Sequence, residues 1–104
     1  MTQEFLILVR HKTRGARVVE DVPELRAQIE QAGDSCGVKL KDFKYVFGRY
    51  NVVLACEAED FHQIADFSAA VERLSNLETQ TLWVLSREEF LQLLGITYPE
   101  LTSR

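Results

Sequence analysis

Five cations, Arg10, Lys12, Arg14, Arg17 and Arg49, stand out in a chain whose formal net charge is −4. Four of them lie between Arg10 and Arg17 together with His11 and Gly15, and the fifth belongs to Gly48-Arg49-Tyr50-Asn51. The chemistry open to such a set is anion binding, because guanidinium forks match carboxylate and phosphate oxygens. A helix beginning after Arg17 would add its own N-terminal dipole. Glu20 and Asp21 act against this, since they stand where an anion would sit. A solvated, internally paired loop is the alternative reading of the same charge run. The candidate ligand-binding residues are Arg14, Arg17, Arg49, Tyr50 and Asn51.

Catalytic candidates are fewer: His11, Tyr45 and Asn51, with Trp83 as a ring that could line a pocket. His11 serves as a general base only beside a cavity and a group that orients it. His62, the other histidine, follows Asp60 at the start of a helix and reads as an exposed first-turn residue. The two histidines have no partners at ligand spacing, so no metal site is expected. Nucleophile-elbow, zincin, P-loop and dinucleotide patterns are absent from the sequence, and no cofactor is implied. Cys36 and Cys56 lack CxxC spacing and read as free, mostly buried thiols of a reducing compartment.

Composition sets outer bounds. The 104 residues, 46% apolar and 27% charged, suit a single folded domain with a core of about residues 4–95. The negative charge argues against nucleic acid as a partner. No run is apolar enough to span a bilayer, and strand-like sequence starts at Phe5 without a preceding leader pattern, so a cytoplasmic location is expected.

The elements that must position these residues follow from periodicity. Glu4–Lys12 is a strand with an apolar run, Phe5 to Val9, on both faces. Val22–Cys36 repeats Val22, Leu25, Ile29, Ala32 and Cys36 at helical spacing, with Pro23 in the first turn, a cap at Asp21 or Val22, and Gly33 and Gly37 as stop signals. Val38–Phe47 and Asn51–Glu57 form a hairpin about Gly48-Arg49-Tyr50-Asn51. Asp60 and Gln63 cap a second helix, whose stripe is Phe61, Ile64, Ala65, Val71 and Leu74, broadened by Phe67 and Ala70. In the strand Leu77–Leu85, the residues Leu77, Thr79, Thr81, Trp83 and Leu85 share a face. Ser86 to Glu89 is a capping box for a short helix ending near Gly95, followed by a frayed tail at Tyr98-Pro99-Glu100.

The order β-α-β-β-α-β with an extra helix is that of an α+β, ferredoxin-like fold, an antiparallel sheet of order 4-1-3-2 covered on one face by two helices. This topology carries Arg10 to Arg17, the 48–51 hairpin and Asn76 to one end of the sheet. It leaves the other face apolar, since the first and third strands do not alternate. A second copy packed sheet against sheet would bury that face in a homodimer. The competing cover is the last helix, but about eight residues cannot roof a sheet about 20 Å across.

Tyr45-Val46-Phe47-Gly48-Arg49-Tyr50-Asn51-Val52-Val53, with Leu77-Glu78-Thr79-Gln80-Thr81-Leu82 further on, resembles the GYD domain family of small bacterial proteins. The family is named for a Gly-x-Tyr-Asp signature at such a hairpin and commonly carries Thr-x-Thr-Leu on its last strand. The likeness runs from Phe5 to Phe90 and implies a ferredoxin-like dimeric α/β barrel, without a mechanism. Asn51 replaces the signature Asp, which keeps the turn chemistry and removes the charge.

Two functional classes follow. One is a homodimeric binding or accessory module that takes a small anionic ligand or a protein. The other is a cofactor-independent α/β-barrel enzyme, monooxygenase- or isomerase-like, with a pocket between sheet and helices; it rests on fold analogy. The enzyme requires an enclosed cavity of about 300 Å³ or more faced by His11 or a tyrosine hydroxyl. The almost wholly apolar strand interiors favour the binding module.

Overall fold

The computed structural model describes residues 2–12, 22–74 and 76–95. Seven elements follow in order: β1 (Gln3–His11), α1 (Val22–Cys36), β2 (Lys39–Tyr45), β3 (Val52–Ala58), α2 (Phe61–Leu74), β4 (Leu77–Val84) and α3 (Arg87–Leu93). The sheet runs β2-β3-β1-β4, all pairs antiparallel, which is the expected ferredoxin-like order read from the other edge.

Strand parity decides what the two faces are made of. Phe5, Ile7 and Val9 of β1 and Val52, Leu54, Cys56 and Ala58 of β3 are buried towards the helices. From the helices they meet Leu25 and Ile29 of α1 and Ile64, Phe67 and Val71 of α2. The fourth strand behaves as its alternation predicts: Thr81 and Trp83 lie opposite Ile7 and Phe5, and Leu77 joins the core. Among the described residues no polar or charged side chain is buried. Burial pushes the Cys56 thiol up to about 12, so it stays protonated and inert as a nucleophile. Both cysteines are free, Cys36 being only half-buried.

Two readings of the helices need correction. Gly37, at φ +74°, ends α1 in a Schellman arrangement: its N–H donates to the Asp34 carbonyl, and Val38 N–H to Gly33 O at 2.9 Å. Gly33, expected as a stop, lies inside the helix. It is small for packing, because a Cβ there would stand 3.1 Å from the Val38 carbonyl and 3.6 Å from the Phe67 ring. In α2 the stripe is centred on Ile64, Phe67 and Val71, while Phe61 and Ala65 are exposed. Phe61 stands at the first residue of the helix, where its ring meets Phe5 and Trp83 edge-to-face at 5.2 and 5.1 Å.

The caps form as the sequence indicates. Asp60 Oδ1 accepts from Gln63 N–H, and the Gln63 side chain reaches back to Glu59 N–H, one residue before the cap. Ser86 and Glu89 complete a reciprocal capping box on α3. His62 is exposed near Asp66, one turn on. The Asp21 cap and the tail at Tyr98-Pro99-Glu100 lie outside the described residues.

The helix-free face is a stripe with a rim. The register places Leu82, Leu6 and Ala55 in one row and Gln80, Leu8 and Val53 in the next. β2 adds Asp42 and Lys44 opposite Ala55 and Val53, and Glu4, Arg10, Glu57, Glu78 and Gln80 share the face, so the expectation of a face apolar throughout holds only for its central patch. Leu6, Leu8, Val53 and Ala55 are half-buried and Leu82 is exposed. α3 lies outside the core that joins the sheet to α1 and α2; its Leu91 is buried, while its Phe90, Leu93 and Leu94 are exposed. Val46, Leu82 and Val84 remain 41%, 38% and 37% exposed.

Candidate functional site

The hairpin is tied to the end of β1 by its asparagine. Val46 N–H donates to the Asn51 carbonyl and closes the loop, while Asn51 N–H donates to the Val9 carbonyl at 2.8 Å. Asn51 Oδ1 then accepts from the His11 main-chain N–H at 3.0 Å. Asn51 therefore extends the β1–β3 ladder with main chain and side chain together. What this position must supply is an acceptor oxygen, which an Asp would provide equally well. The residue expected as a catalytic candidate is thus accounted for by structure, and it brings His11 alongside through the backbone only.

Tyr50 reaches from the hairpin past β1, and its hydroxyl donates to Gln80 Oε1 of β4. Beneath it Arg10 pairs with Glu78, directly opposite in the β1–β4 register. Arg10 Nε and Nη2 both converge on Glu78 Oε1, at 2.8 and 2.7 Å, leaving Oε2 without a partner among the described residues. Arg10, Arg49, Tyr50, Glu78, Thr79 and Gln80 surround a hollow of about 180 Å³. Of the five cations, then, Arg10 and Arg49 share one hollow. Lys12 is exposed at the same end, where its N–H donates to the Asn76 carbonyl. Arg14 and Arg17 lie outside the described residues.

Glu78, Thr79 and Gln80 were not candidates from the sequence. Their signal was available: with Leu77, Thr79 and Thr81 assigned to the helix side, Glu78 and Gln80 fall on the opposite face with Arg10. Thr79 contributes to a second network, in which Glu72 Oε2 accepts from both its N–H and its hydroxyl at 3.0 and 2.9 Å. Ser68 and Thr81 share a hydrogen bond beside it.

Among the described residues two larger hollows are open at the surface. One of about 410 Å³ lies along α2 and β4, against Phe61, Ile64, Ala65, Ser68, Ala69 and Thr81. The other, of about 280 Å³, lies between the start of β1, the end of β4 and Glu89 of α3. Neither is lined by His11, Tyr45 or Tyr50. Tyr45 stands on the edge strand with its ring edge-on to Phe43 at 5.0 Å, and Trp83 packs on Phe61. The geometry required of an enzyme is therefore not assembled by these hollows. The Arg10–Tyr50 hollow offers charged and hydrogen-bonding side chains.

The sequence pattern that defines the GYD domain matches residues 5–94. The chain belongs to the GYD domain family. Within this GYD protein the signature residues are the hairpin that Asn51 ties to β1, and the Thr-x-Thr-Leu stretch is β4, the floor of the hollow. No curated protein matches the chain in sequence. Among solved structures it is similar to the leucine response regulatory protein of Mycobacterium tuberculosis, with 13% identity, a TM-score of 0.62, and 81% of this chain and 51% of that one covered. A feast or famine regulatory protein from M. tuberculosis complexed with L-methionine gives 14%, 0.60, 81% and 50%. The C-terminal domain of the M. tuberculosis MgtC protein gives 12%, 0.51, 86% and 92%. The GYD chain spans about half the length of the two regulators. At these identities the likeness shows the fold.

Proposed function

We propose that this GYD protein is a homodimeric binding module of regulatory or accessory kind, paired through its helix-free sheet face. It takes a small anionic ligand at the sheet end formed by the 48–51 hairpin and the strand ends beside it. The observation that carries the reading is the stripe Leu6, Leu8, Val53, Ala55 and Leu82 on the helix-free face, half-buried but for the exposed Leu82. A patch of this kind on one face of a sheet is self-complementary about a two-fold axis, and water is a poor cover for it. Two proteins of the same fold are regulators, one of them seen with L-methionine, which supports a ligand-responsive role. The single domain expected over residues 1–104 and the cytoplasmic setting belong to the same proposal.

Light scattering at micromolar concentration tests the pairing. The expected mass is about 24 kDa, two chains of 11.9 kDa each. A mass near that of one chain across the micromolar range overturns it.

A further inference from the structure

We infer that the Arg10–Arg49–Tyr50 hollow is a site for a small monocarboxylate with a short apolar tail, and that its occupancy strengthens the pairing of two chains. This rests on the pairing proposed above and adds the ligand class and its consequence.

The charge of the hollow selects the ligand. Arg10 and Glu78 neutralise each other, so Arg49, which has no ion pair among the described residues, leaves the hollow with one net positive charge. A monoanion balances it, whereas a dianion such as phosphate would leave a net negative charge to be covered. The Arg49 guanidinium presents a planar fork that fits the two oxygens of a carboxylate. Because Tyr50 donates to the Gln80 carbonyl oxygen, the Gln80 amide NH₂ is left to donate to the ligand.

The position of the hollow supplies the rest. Arg10 and Glu78 form one row of the helix-free face, and Gln80 and Leu8 form the next. Val53 continues that row and Leu82 stands in the one after it, so an apolar tail leaving the carboxylate runs onto the stripe that the second copy covers. A molecule held there is desolvated by the partner chain and binds the dimer more tightly than the single chain. By linkage the same factor must appear in the dimer affinity.

The test is sedimentation equilibrium of the full chain with sodium butyrate, sodium phosphate or sodium chloride at matched ionic strength. With two sites per dimer, ligand at ten times its dissociation constant and binding confined to the dimer, dimerisation tightens up to about 100-fold. The expected result is tightening by butyrate, little change with phosphate, and loss of the butyrate effect in Arg49→Ala. A dimer that ignores butyrate overturns the inference and leaves the pairing intact. Equal tightening by phosphate overturns the monocarboxylate assignment, and an undiminished butyrate effect in Arg49→Ala overturns the site. A chain that stays monomeric in all three salts overturns the pairing itself.

Discussion

Leu82→Lys leaves a folded chain with about half the solution mass of the unsubstituted protein. Leu82 is 38% exposed in the single chain, so a lysine there keeps its ammonium in water and costs the monomer little. In the paired state the same position lies on the covered stripe, beside Leu6 in the β1–β4 register. Only the exposed 38% of the side chain remains to be covered, so each copy loses about 0.6–1.1 kcal/mol of apolar burial. Because the contact is symmetric, both copies lose it, about 1.1–2.3 kcal/mol together, and the cost of desolvating two charges adds to it. At about 1.4 kcal/mol per tenfold, the lost burial alone weakens dimerisation by about 10-fold. Ala65→Lys, on the exposed side of α2, is the control and leaves the mass unchanged. Far-UV circular dichroism separates dissociation from unfolding. An unchanged mass for Leu82→Lys places the contact elsewhere.

Phe67→Ala acts on the other layer. Phe67 has no exposed surface, and its ring fills the space that Gly33 opens in α1. Removing it leaves a cavity between the two helices and the sheet, at a cost of about 3–5 kcal/mol. That is a large share of the total of about 5–15 kcal/mol available to a small domain. Urea denaturation at fixed protein concentration is expected to show a lower midpoint with an unchanged slope. At concentrations where the variant is still folded, its mass remains that of the unsubstituted protein, because the helix face and the helix-free face are different surfaces. A loss below about 1 kcal/mol would mean that Gly33 and Phe67 do not pack as described.

The fold was legible because each element carries its own period. The unbroken apolar run of Phe5 to Val9 marked the strand β1, with Phe5, Ile7 and Val9 in the core, and Leu77, Thr79, Thr81 and Trp83 marked parity correctly. Gly33 and Gly37 look alike in sequence, yet one relieves a steric contact and the other supplies a left-handed turn. Only the close approach of Phe67 and Val38 separates them. Phe61 satisfied the helical stripe of α2 but stands at its first turn, where the ring stacks on Phe5 and Trp83 beside the core. The β2 edge was read as apolar from Tyr45 and Val46, and its Lys39, Asp42 and Lys44 fall on the open face only once register is known.

The candidate site was legible in outline. The hairpin and the end of β1 meet as expected, through Asn51. The Arg10–Glu78 pair and the Tyr50–Gln80 bond depend on the β1–β4 register, which loop lengths and periodicity leave undetermined by whole steps of two residues. The same register sets Arg10 and Arg49 about a hollow with an acidic partner, on the helix-free face.

In the proposed pairing a second copy of the chain covers this face. An isotope-filtered NOE experiment on a mixture of labelled and unlabelled protein detects contacts between copies only. Cross-copy contacts are expected among the methyl groups of Leu6, Leu8, Val53, Ala55 and Leu82. Cross-copy contacts confined to Ala65 and Ala69 of α2 or to Leu93 and Leu94 at the end of α3, or none at all, would contradict the pairing.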